Sequence, residues 1–286
     1  MKQITVISGK GGTGKTSLVG AFAALAINKV LADCDVDASD LHLLLNPTVQ
    51  QTEDFTALKT AVIDHEKCIH CGKCINVCRF DAISDFIVDR YSCEGCGSCQ
   101  LVCPEKAIKL EENVAGKSYI SDTRFGPLCH ARLFPGEDAS GKLVAFVRNN
   151  AKKVAEKKGL DRVIIDGSPG IGCPVIASIG GTDLTLIVTE PTVSGIHDLE
   201  RILGVTAHFK VPAVVVVNKF DINPDKTREI ENYCNKEGVD VFAKIPYDPD
   251  FTKAMVAEKT IIEYQDNRTS DEIKYLWGKI KGRLDG

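Results

Sequence analysis

Short apolar runs alternate along the chain with longer segments that have the character of helices. Ala213–Val217 is nearly all apolar, as expected for a strand of a parallel sheet that is covered on both faces. Leu143–Lys158 ends in basic residues before Gly159, which is typical of the end of a helix. We expect Gly116–Gly141 to be rich in loops. The pattern predicts strands over 4–7, 29–32, 162–166, 184–188, 213–217 and 241–245, and helices over 18–27, 41–45, 143–158, 225–237 and 271–284, with another helix ending near 208.

A glycine-rich turn joins the first predicted strand to the first helix and reads Gly-Lys-Gly-Gly-Thr-Gly-Lys-Thr-Ser over residues 9–17. A turn in this position is typical of a phosphate-binding loop, where backbone N–H groups and the positive end of the helix hold phosphates. We expect Lys15 to reach the β- and γ-phosphates and the Thr16 hydroxyl to bind Mg²⁺. The other expected nucleotide contacts in the loop are Gly11, Gly12, Thr13, Gly14 and Ser17.

A second lysine, Lys10, follows the first glycine of this loop. With it, the loop resembles the deviant Walker A loop of the MinD, ParA and Mrp ATPases and of the nitrogenase iron protein. The resemblance implies a P-loop NTPase fold, with a mostly parallel sheet covered by helices on both faces. It also implies a homodimer in which Lys10 reaches the nucleotide of the partner. We therefore expect Lys10 and Lys15 to act in catalysis.

Acidic residues follow two of the predicted strands. Asp33 and Asp35 come after the strand 29–32, where they would face the crevice in which such sheets bind ligands. The resemblance identifies this segment as switch I and Asp35 as the carboxylate that orients the attacking water. It likewise identifies Asp166 as the Walker B residue that holds Mg²⁺, with switch II after it. A solvated acidic turn is the alternative interpretation of the first pair.

The sequence Asn-Lys-Phe-Asp begins at Asn218, directly after a predicted strand. In GTPases such a motif reads guanine, whereas in the ATPase family that this chain resembles an asparagine here contacts adenine. The motif alone leaves GTP open, and we favour ATP because of the loop that contains Lys10. We expect Asn218, Lys219 and Pro246 to contact the nucleotide base.

Eight of the twelve cysteines form two runs that repeat after 25 residues. Each run has the spacing Cys-x2-Cys-x2-Cys-x3-Cys, which is that of bacterial two-cluster ferredoxins, where the fourth cysteine of each run ligates the other cluster. Zinc is the alternative, although it prefers separated cysteine pairs in a tetrahedral site. The pattern predicts one 4Fe–4S cluster on Cys68, Cys71, Cys74 and Cys103 and a second on Cys93, Cys96, Cys99 and Cys78.

The other four cysteines lie outside these runs. We expect Cys34 and Cys234 to be ordinary small buried residues. Cys173 follows the predicted switch II, and the nitrogenase iron protein has a cysteine in the corresponding region that helps to hold a cluster between subunits. This resemblance raises the hypothesis that Cys173, with Cys129, binds a third cluster or a metal. We favour inert packing instead.

The segment Asp271–Leu284 places Ile273, Leu276, Trp277, Ile280 and Leu284 on one helical face. MinD uses a basic amphipathic tail to bind membranes, and we favour the commoner alternative, a helix docked on the sheet. A composition of 44% hydrophobic and 26% charged residues, with a formal charge of −4, is ordinary for a globular protein and gives no footprint for nucleic acid. We expect a cytoplasmic location without nucleic acid or membrane as partner.

These features predict a P-loop ATPase, residues 1–59 and 116–286, with an inserted α+β ferredoxin-like domain, residues 60–115. We expect ATP, Mg²⁺ and two 4Fe–4S clusters as cofactors, and a homodimer that couples ATP turnover to electron transfer or to iron–sulfur or metal cofactor assembly on a client. The alternative is a positioning or scaffold ATPase with a structural ferredoxin module. Amide ligation, which related synthetases carry out, ranks last.

Overall fold

The computed structural model describes residues 1–36, 38–137 and 141–286. The chain forms two compact units. The first contains Met1–Thr52, Ser118–Arg132 and Ala139–Gly286. The second contains Glu53–Lys117 and Leu133–Asp138, so it is wider than the predicted insert of residues 60–115.

Strands and helices alternate through most of the first unit, while the second has two short helices and a small hairpin. The strands are β1 (Lys2–Ser8), β2 (Lys29–Asp33), β3 (Thr48–Ile63), β4 (Ile83–Ser84), β5 (Ile87–Val88), β6 (Ile108–Thr123), β7 (Gly126–Leu133), β8 (Arg162–Pro169), β9 (Leu184–Thr189), β10 (Ala213–Asn218) and β11 (Val241–Ile245). The helices are α1 (Lys15–Leu25), α2 (Leu41–Leu45), α3 (Lys73–Val77), α4 (Ser98–Val102), α5 (Gly141–Lys158), α6 (Cys173–Ile179), α7 (Val193–His208), α8 (Pro224–Lys236), α9 (Asp250–Val256), α10 (Ile261–Tyr264) and α11 (Arg268–Asp285).

The large sheet has the strand order β11-β10-β9-β1-β8-β2-β7-β6-β3. Strand β1 pairs in parallel with β8 and β9, and β2 pairs in parallel with β8 and β7. Strand β10 is parallel to both β9 and β11. Because the carboxyl ends of parallel strands meet at one edge, the segments that follow β1, β2 and β8 lie close together.

Helices cover both faces of this sheet, as predicted. Alternate residues of a strand point to opposite faces, so Val6 packs with α1 and α11 in one core while Ile7 packs with α6, α7 and α8 in the other. The rings of Phe22 and Trp277 lie 5.2 Å apart in the first core. The apolar face of α11 is therefore buried against the protein's own sheet, as the docked alternative predicted. Among the described residues, no helix is both long and apolar enough to cross a bilayer.

The second unit repeats itself in structure with the period seen in its sequence. Helices α3 and α4 begin 25 residues apart, and each follows a glycine in the left-handed region, Gly72 with φ 74° and Gly97 with φ 78°. The main cluster of buried apolar residues in this unit consists of Ala61, Ile63, Cys74, Ile83, Cys99 and Ile108.

The expectation of loops over residues 116–141 was wrong as far as Leu133, held for residues 134–137, and falls outside the described residues at 138–140. Strand β6 runs to Thr123 and β7 occupies Gly126–Leu133. Apart from Ile108 and Leu128, most buried positions of these strands are small or polar, such as Ser118, Ser121 and Cys129. Their sequence therefore lacks the Val/Ile signal that identifies the central strands.

Candidate functional site

The glycine-rich turn lies between β1 and α1, at the edge of the sheet where the parallel strands end. Gly12 and Gly14 have φ of 79° and 92°, a region that side chains rarely adopt. A Cβ on Gly14 would lie 2.5 Å from Nδ2 of Asn218. That same Nδ2 donates a hydrogen bond of 2.7 Å to the carbonyl oxygen of Thr13. The turn is thus held in shape by a side chain from the far end of β10.

Lys15 occupies the centre of the site and is almost fully buried. Its Nζ lies 2.8 Å from Oδ1 of Asp166 and 3.1 Å from Oδ2 of Asp35. Burial lowers the pKa of Lys15, but the charges and hydrogen bonds of the two carboxylates outweigh burial and raise its pKa above the usual value. The structure therefore brings together the lysine and both acidic residues that the sequence singled out.

Two oxygen atoms at this site are buried without a hydrogen-bond partner among the described residues. They are Oδ2 of Asp166 and Oγ1 of Thr13. A buried polar atom without a partner is costly and indicates that a group absent from the protein chain satisfies it. The Asp166 carboxylate and the hydroxyl of Thr16, the residue after Lys15, supply oxygen donors of the kind that Mg²⁺ prefers. These residues fit a magnesium ion with its waters.

A third carboxylate, Asp33, is completely buried beside this pair. Its Oδ2 accepts a hydrogen bond of 2.7 Å from Ser39, and its Oδ1 accepts one of 3.1 Å from the backbone N–H of Asp35. Burial, together with the charge of Asp166, nevertheless raises the pKa of Asp33 to about 7. Burial also raises the pKa of Asp166 in spite of Lys15.

Lys10 lies apart from the buried carboxylates. Its ammonium pairs with Glu190, a residue that the sequence analysis did not single out. Nζ of Lys10 is 2.5 Å from Oε1 of Glu190 and 3.2 Å from Oγ of Ser194. Lys219 binds the other oxygen of the same carboxylate, with Nζ 3.1 Å from Oε2. Glu190 follows β9 in a short turn, and only the folded chain reveals that it joins two lysines.

Of the three residues predicted to contact the base, two bind the phosphate loop and the third lines a cavity. Asn218 is buried and holds Thr13, while Lys219 donates a hydrogen bond of 3.2 Å to the carbonyl oxygen of Gly12. Pro246 lines an open cavity of about 310 Å³ together with Phe220. Of the other loop residues, Gly11 is exposed and the Ser17 hydroxyl faces the sulfur of Met255 at 4.0 Å.

Comparison with known proteins agrees with this geometry. The model of the family described as the CobQ/CobB/MinD/ParA nucleotide-binding domain matches residues 4–261. This chain belongs to the MinD/ParA nucleotide-binding family. As members of this family are ATPases with a P-loop, the protein is an ATPase. The residues around Lys15 are the candidate nucleotide site.

Individual relatives extend this result over the whole chain. An uncharacterized protein of Methanocaldococcus jannaschii is 37% identical over 283 residues, which is 98% of this chain and 96% of that one. The cell division ATPase MinD of Pyrococcus furiosus has the same fold, with a TM-score of 0.59 and 18% identity over 98% of both chains. An iron-sulfur cluster carrier protein of Pyrococcus horikoshii is 29% identical over 139 residues, 44% of this chain and 46% of its own.

The second unit of this MinD/ParA-family ATPase contains two cavities that are lined by cysteines. One is lined by Cys68, Cys71, Cys74 and Cys103. The other is lined by Cys78, Cys93, Cys96 and Cys99. The fourth cysteine of each run therefore lies at the cavity of the other run. Within the described residues, no three His, Cys, Asp or Glu side chains are placed to hold a metal ion.

Two of these thiols accept hydrogen bonds from the backbone. The N–H of Ala61 donates to Sγ of Cys93 at 3.5 Å, and the N–H of Ala107 donates to Sγ of Cys103 at 3.3 Å. Hydrogen bonds of this kind stabilise thiolate sulfur and tune the reduction potential where such sulfurs bind iron.

The remaining cysteines of the ATPase lie in the first unit. Burial raises the pKa of Cys129 to about 12 and that of Cys234 to about 11. Cys34 is also buried, with its pKa raised. Because metals bind the thiolate, burial makes Cys129 a poor ligand. Cys173 is exposed at the first residue of α6, and a joint metal site with Cys129 stays a hypothesis without support from these environments.

Proposed function

We propose that this MinD/ParA-family ATPase carries two 4Fe–4S clusters and couples an ATP-driven homodimer cycle to electron transfer, or to assembly of an iron–sulfur or metal cofactor on a client protein. The observation that carries the proposal is the division of eight cysteines between two cavities. Each cavity takes three cysteines from one run and the fourth from the other, namely Cys103 at the first cavity and Cys78 at the second.

The donor set fits a cluster better than a single ion. A 4Fe–4S cube has an iron at each of four corners and takes one thiolate at each iron, so its ligands stand around a cavity instead of converging on one point. In the second unit the eight cysteines line two cavities, four at each. When bound, such clusters accept and donate single electrons. The chain's own contribution is to position the thiols and to donate backbone N–H groups to Cys93 and Cys103.

In the first unit, each side chain has a role that its surroundings support. The Lys15 ammonium, held by two carboxylates, would move to the phosphates when a nucleotide enters the loop. The unpartnered oxygen of Asp166 and the Thr16 hydroxyl would hold Mg²⁺. Asp35, released from Lys15, would orient the attacking water. Lys10 would act across the homodimer, and Asn218, Lys219 and Pro246 would border the base.

The relatives give the coupled process some support. One relative, from Pyrococcus horikoshii, is an iron-sulfur cluster carrier protein, and its matched segment covers less than half of each chain. A second candidate function, a positioning or scaffold ATPase with a structural cysteine module, is favoured by the fold, since the cell division ATPase MinD matches 98% of the chain. The two candidates differ in whether the clusters change state during ATP turnover.

Iron content of anaerobically purified protein tests the clusters. We expect about eight irons and eight sulfides per chain. Cys103→Ser and Cys68→Ser should each remove about half of the iron, since both cysteines line the first cavity. Both variants should keep only the electron paramagnetic resonance signal of the cluster in the second cavity. Cys78→Ser should keep only the signal of the cluster in the first cavity. Cys173→Ala, at an exposed cysteine outside both cavities, is the matched control with full iron. Zinc in place of iron, or losses that group Cys78 with Cys68, would refute the assignment.

Nucleotide dependence of the clusters tests the coupling. We expect that Mg²⁺ with the non-hydrolysable analogue AMPPNP produces a dimer and changes the reduction rate of the clusters, while ADP does not. Lys15→Ala, which removes the phosphate-binding ammonium, should show no response. If cluster potentials and reduction rates stay the same with every nucleotide, the scaffold function is the better description.

A further inference from the structure

Glu190 and the two lysines bound to it lie at the phosphate loop and have no part in the buried group around Lys15. One carboxylate oxygen binds Lys10 at 2.5 Å and the other binds Lys219 at 3.1 Å. Lys219 also donates to the carbonyl oxygen of Gly12 in the loop. The Glu190 carboxylate is therefore linked to the phosphate loop in two ways. It pairs with Lys10, which is part of the loop, and it pairs with Lys219, which donates a hydrogen bond to Gly12 of the loop.

The backbone around Glu190 is fixed before any ligand arrives. Its carbonyl oxygen accepts a hydrogen bond of 2.8 Å from the N–H of Thr192. Thr192 then caps helix α7 by accepting a hydrogen bond of 2.9 Å from the N–H of Gly195. A Cβ on Gly195 would lie 2.3 Å from the carbonyl oxygen of Glu190, so only glycine fits against this turn. The backbone of Glu190 consequently has little freedom to follow a lysine that moves away.

The lysines are constrained in different ways. Lys219 has φ 54°, an unusual backbone conformation for a residue with a side chain, and its N–H is held by Oδ1 of Asn218 at 3.0 Å. Lys10 has its carbonyl oxygen bound by the Ser8 hydroxyl at 2.9 Å, while its side chain is 35% exposed. Lys10 can therefore leave Glu190 and its neighbours Thr192 and Ser194 by rotation of its side chain, whereas the ammonium of Lys219 is also bound to the backbone of the loop at Gly12.

We propose that Glu190 is a positioning residue that holds Lys10 on its own subunit until a nucleoside triphosphate draws this lysine away. The inference rests on the proposed function, in which Lys10 acts across an ATP-bound homodimer. Glu190 is an internal anion that occupies Lys10 while no phosphate is present, and the γ-phosphate of ATP competes for the same ammonium. The competition makes closure depend on the triphosphate, because a ligand shifts an equilibrium only through its different affinity for the two states.

The holding step can be measured without a dimer. We expect an amine-acetylating reagent, with mass spectrometry of the products, to modify Lys10 several times faster in nucleotide-free Glu190→Gln than in the parent, since a paired ammonium must leave its carboxylate before it reacts. Glu231→Gln is the matched control. Glu231 and Lys244 form an ion pair of 2.7 Å that does not include a residue of the phosphate loop. The Glu231→Gln variant should increase modification of Lys244 and leave Lys10 unchanged. Equal Lys10 rates in Glu190→Gln and the parent overturn the inference.

The consequence for closure is measured with Mg²⁺–AMPPNP and light scattering. Glu190→Gln should reach half-maximal dimer at about one fifth of the AMPPNP concentration that the parent needs, while its ADP affinity changes less than twofold. Lys10→Ala should remove the difference between Glu190→Gln and the parent. An equal change for ADP and AMPPNP would indicate a general charge effect and refute the holding role. If Glu190→Gln increases Lys10 labelling but the parent protein never dimerises, the proposed homodimer is refuted, while the pairing of Glu190 with Lys10 in the nucleotide-free protein is confirmed.

Discussion

Three buried aspartates share one buried lysine at the candidate nucleotide site. Lys15 contacts Asp35 and Asp166 directly, and Asp33 lies close enough for its pKa to be raised by the charge of Asp166. The carboxylates outnumber the lysine, so the site without a nucleotide carries more negative charge than its cations balance. A divalent cation would remove this imbalance, which supports Mg²⁺ at Asp166.

The charge on Asp33 gives the protein without nucleotide a pH-dependent stability. Its folded pKa of about 7 lies above its usual value of 3.8, so the folded protein binds the proton more tightly than the unfolded chain. The free energy of unfolding should therefore rise as pH falls from 7 towards 4, by at most about 1.4 kcal/mol per pH unit. Asp33→Asn should lose this dependence while keeping an acceptor for Ser39.

Urea unfolding of the parent and of Asp33→Asn between pH 4 and 8, without Mg²⁺ or nucleotide, measures this effect. The stability advantage of Asp33→Asn should grow with pH up to about 7 and then become constant. Asp40→Asn, at an exposed aspartate in the same segment, should follow the parent. Curves for Asp33→Asn and the parent that stay parallel would show that Asp33 is ionised throughout.

Local sequence predicted the members of this site but not all of their partners. Lys15, Asp35 and Asp166 follow strand ends at positions that a motif defines, and parallel strands must bring those ends together. Glu190 lies in a turn without a motif, and its two lysines come from segments about 180 and 29 residues away. Asn218 was expected to contact a base, whereas its amide holds Thr13 in the loop, a role visible only in the tertiary structure.

Among the elements, the loop between β1 and α1 depends most on glycine. Gly14→Ala would place a Cβ 2.5 Å from Asn218 at a φ of 92°. We expect a loss of about 1–3 kcal/mol in the free energy of unfolding and a loss of nucleotide binding, since the loop must shift. Gly204→Ala is the matched control in helix α7, where nothing lies within 4 Å of the new methyl group.

The control should stabilise the protein by roughly 0.5–1 kcal/mol, because alanine is the better residue within a helix. Thermal unfolding and calorimetric titration with ADP measure both variants. A Gly14→Ala protein that binds ADP like the parent would show that the loop adapts freely and that Asn218 does not fix it.

Sequence pattern located most elements of the parallel sheet because their residues are apolar throughout. Strand β11 was predicted at its observed bounds, and α11 was predicted three residues short at its start. Strands β3 and β6, of 16 residues each, carry too many charged and polar residues for this signal. They gain their stability from pairing with neighbouring strands, which a local pattern does not reveal.

For the whole molecule, the two units differ in how much core they have. The first unit has helices on both faces of its sheet, whereas the main buried cluster of the second includes two cysteines among its six residues. A cluster this small stabilises a fold only modestly. The proposed clusters would therefore contribute to the folding of the second unit as well as to its chemistry.

Removal of iron should consequently affect the second unit alone. After treatment with a chelator and an oxidant, we expect limited proteolysis to cut within residues 60–115 at least ten times faster, while ADP affinity changes less than twofold. Protein treated with the chelator under anaerobic, reducing conditions, where the clusters persist, is the control. Equal protection before and after iron loss would mean that the second unit is stable by itself.

The second unit is made from two separate stretches of the chain, Glu53–Lys117 and a short one that starts at Leu133. Within the unit, the short stretch is joined to the long one by a hydrogen bond of 2.9 Å from the N–H of Phe134 to the carbonyl oxygen of Ala115 and by the ion pair of Arg90 with Glu137 at 2.6 Å. A gene fusion that transplants only the first stretch into another scaffold would leave these partners behind. Transfer of the second unit to another protein therefore requires both stretches. A single deletion that removed the long stretch in evolution would leave the short stretch in the chain without its partners.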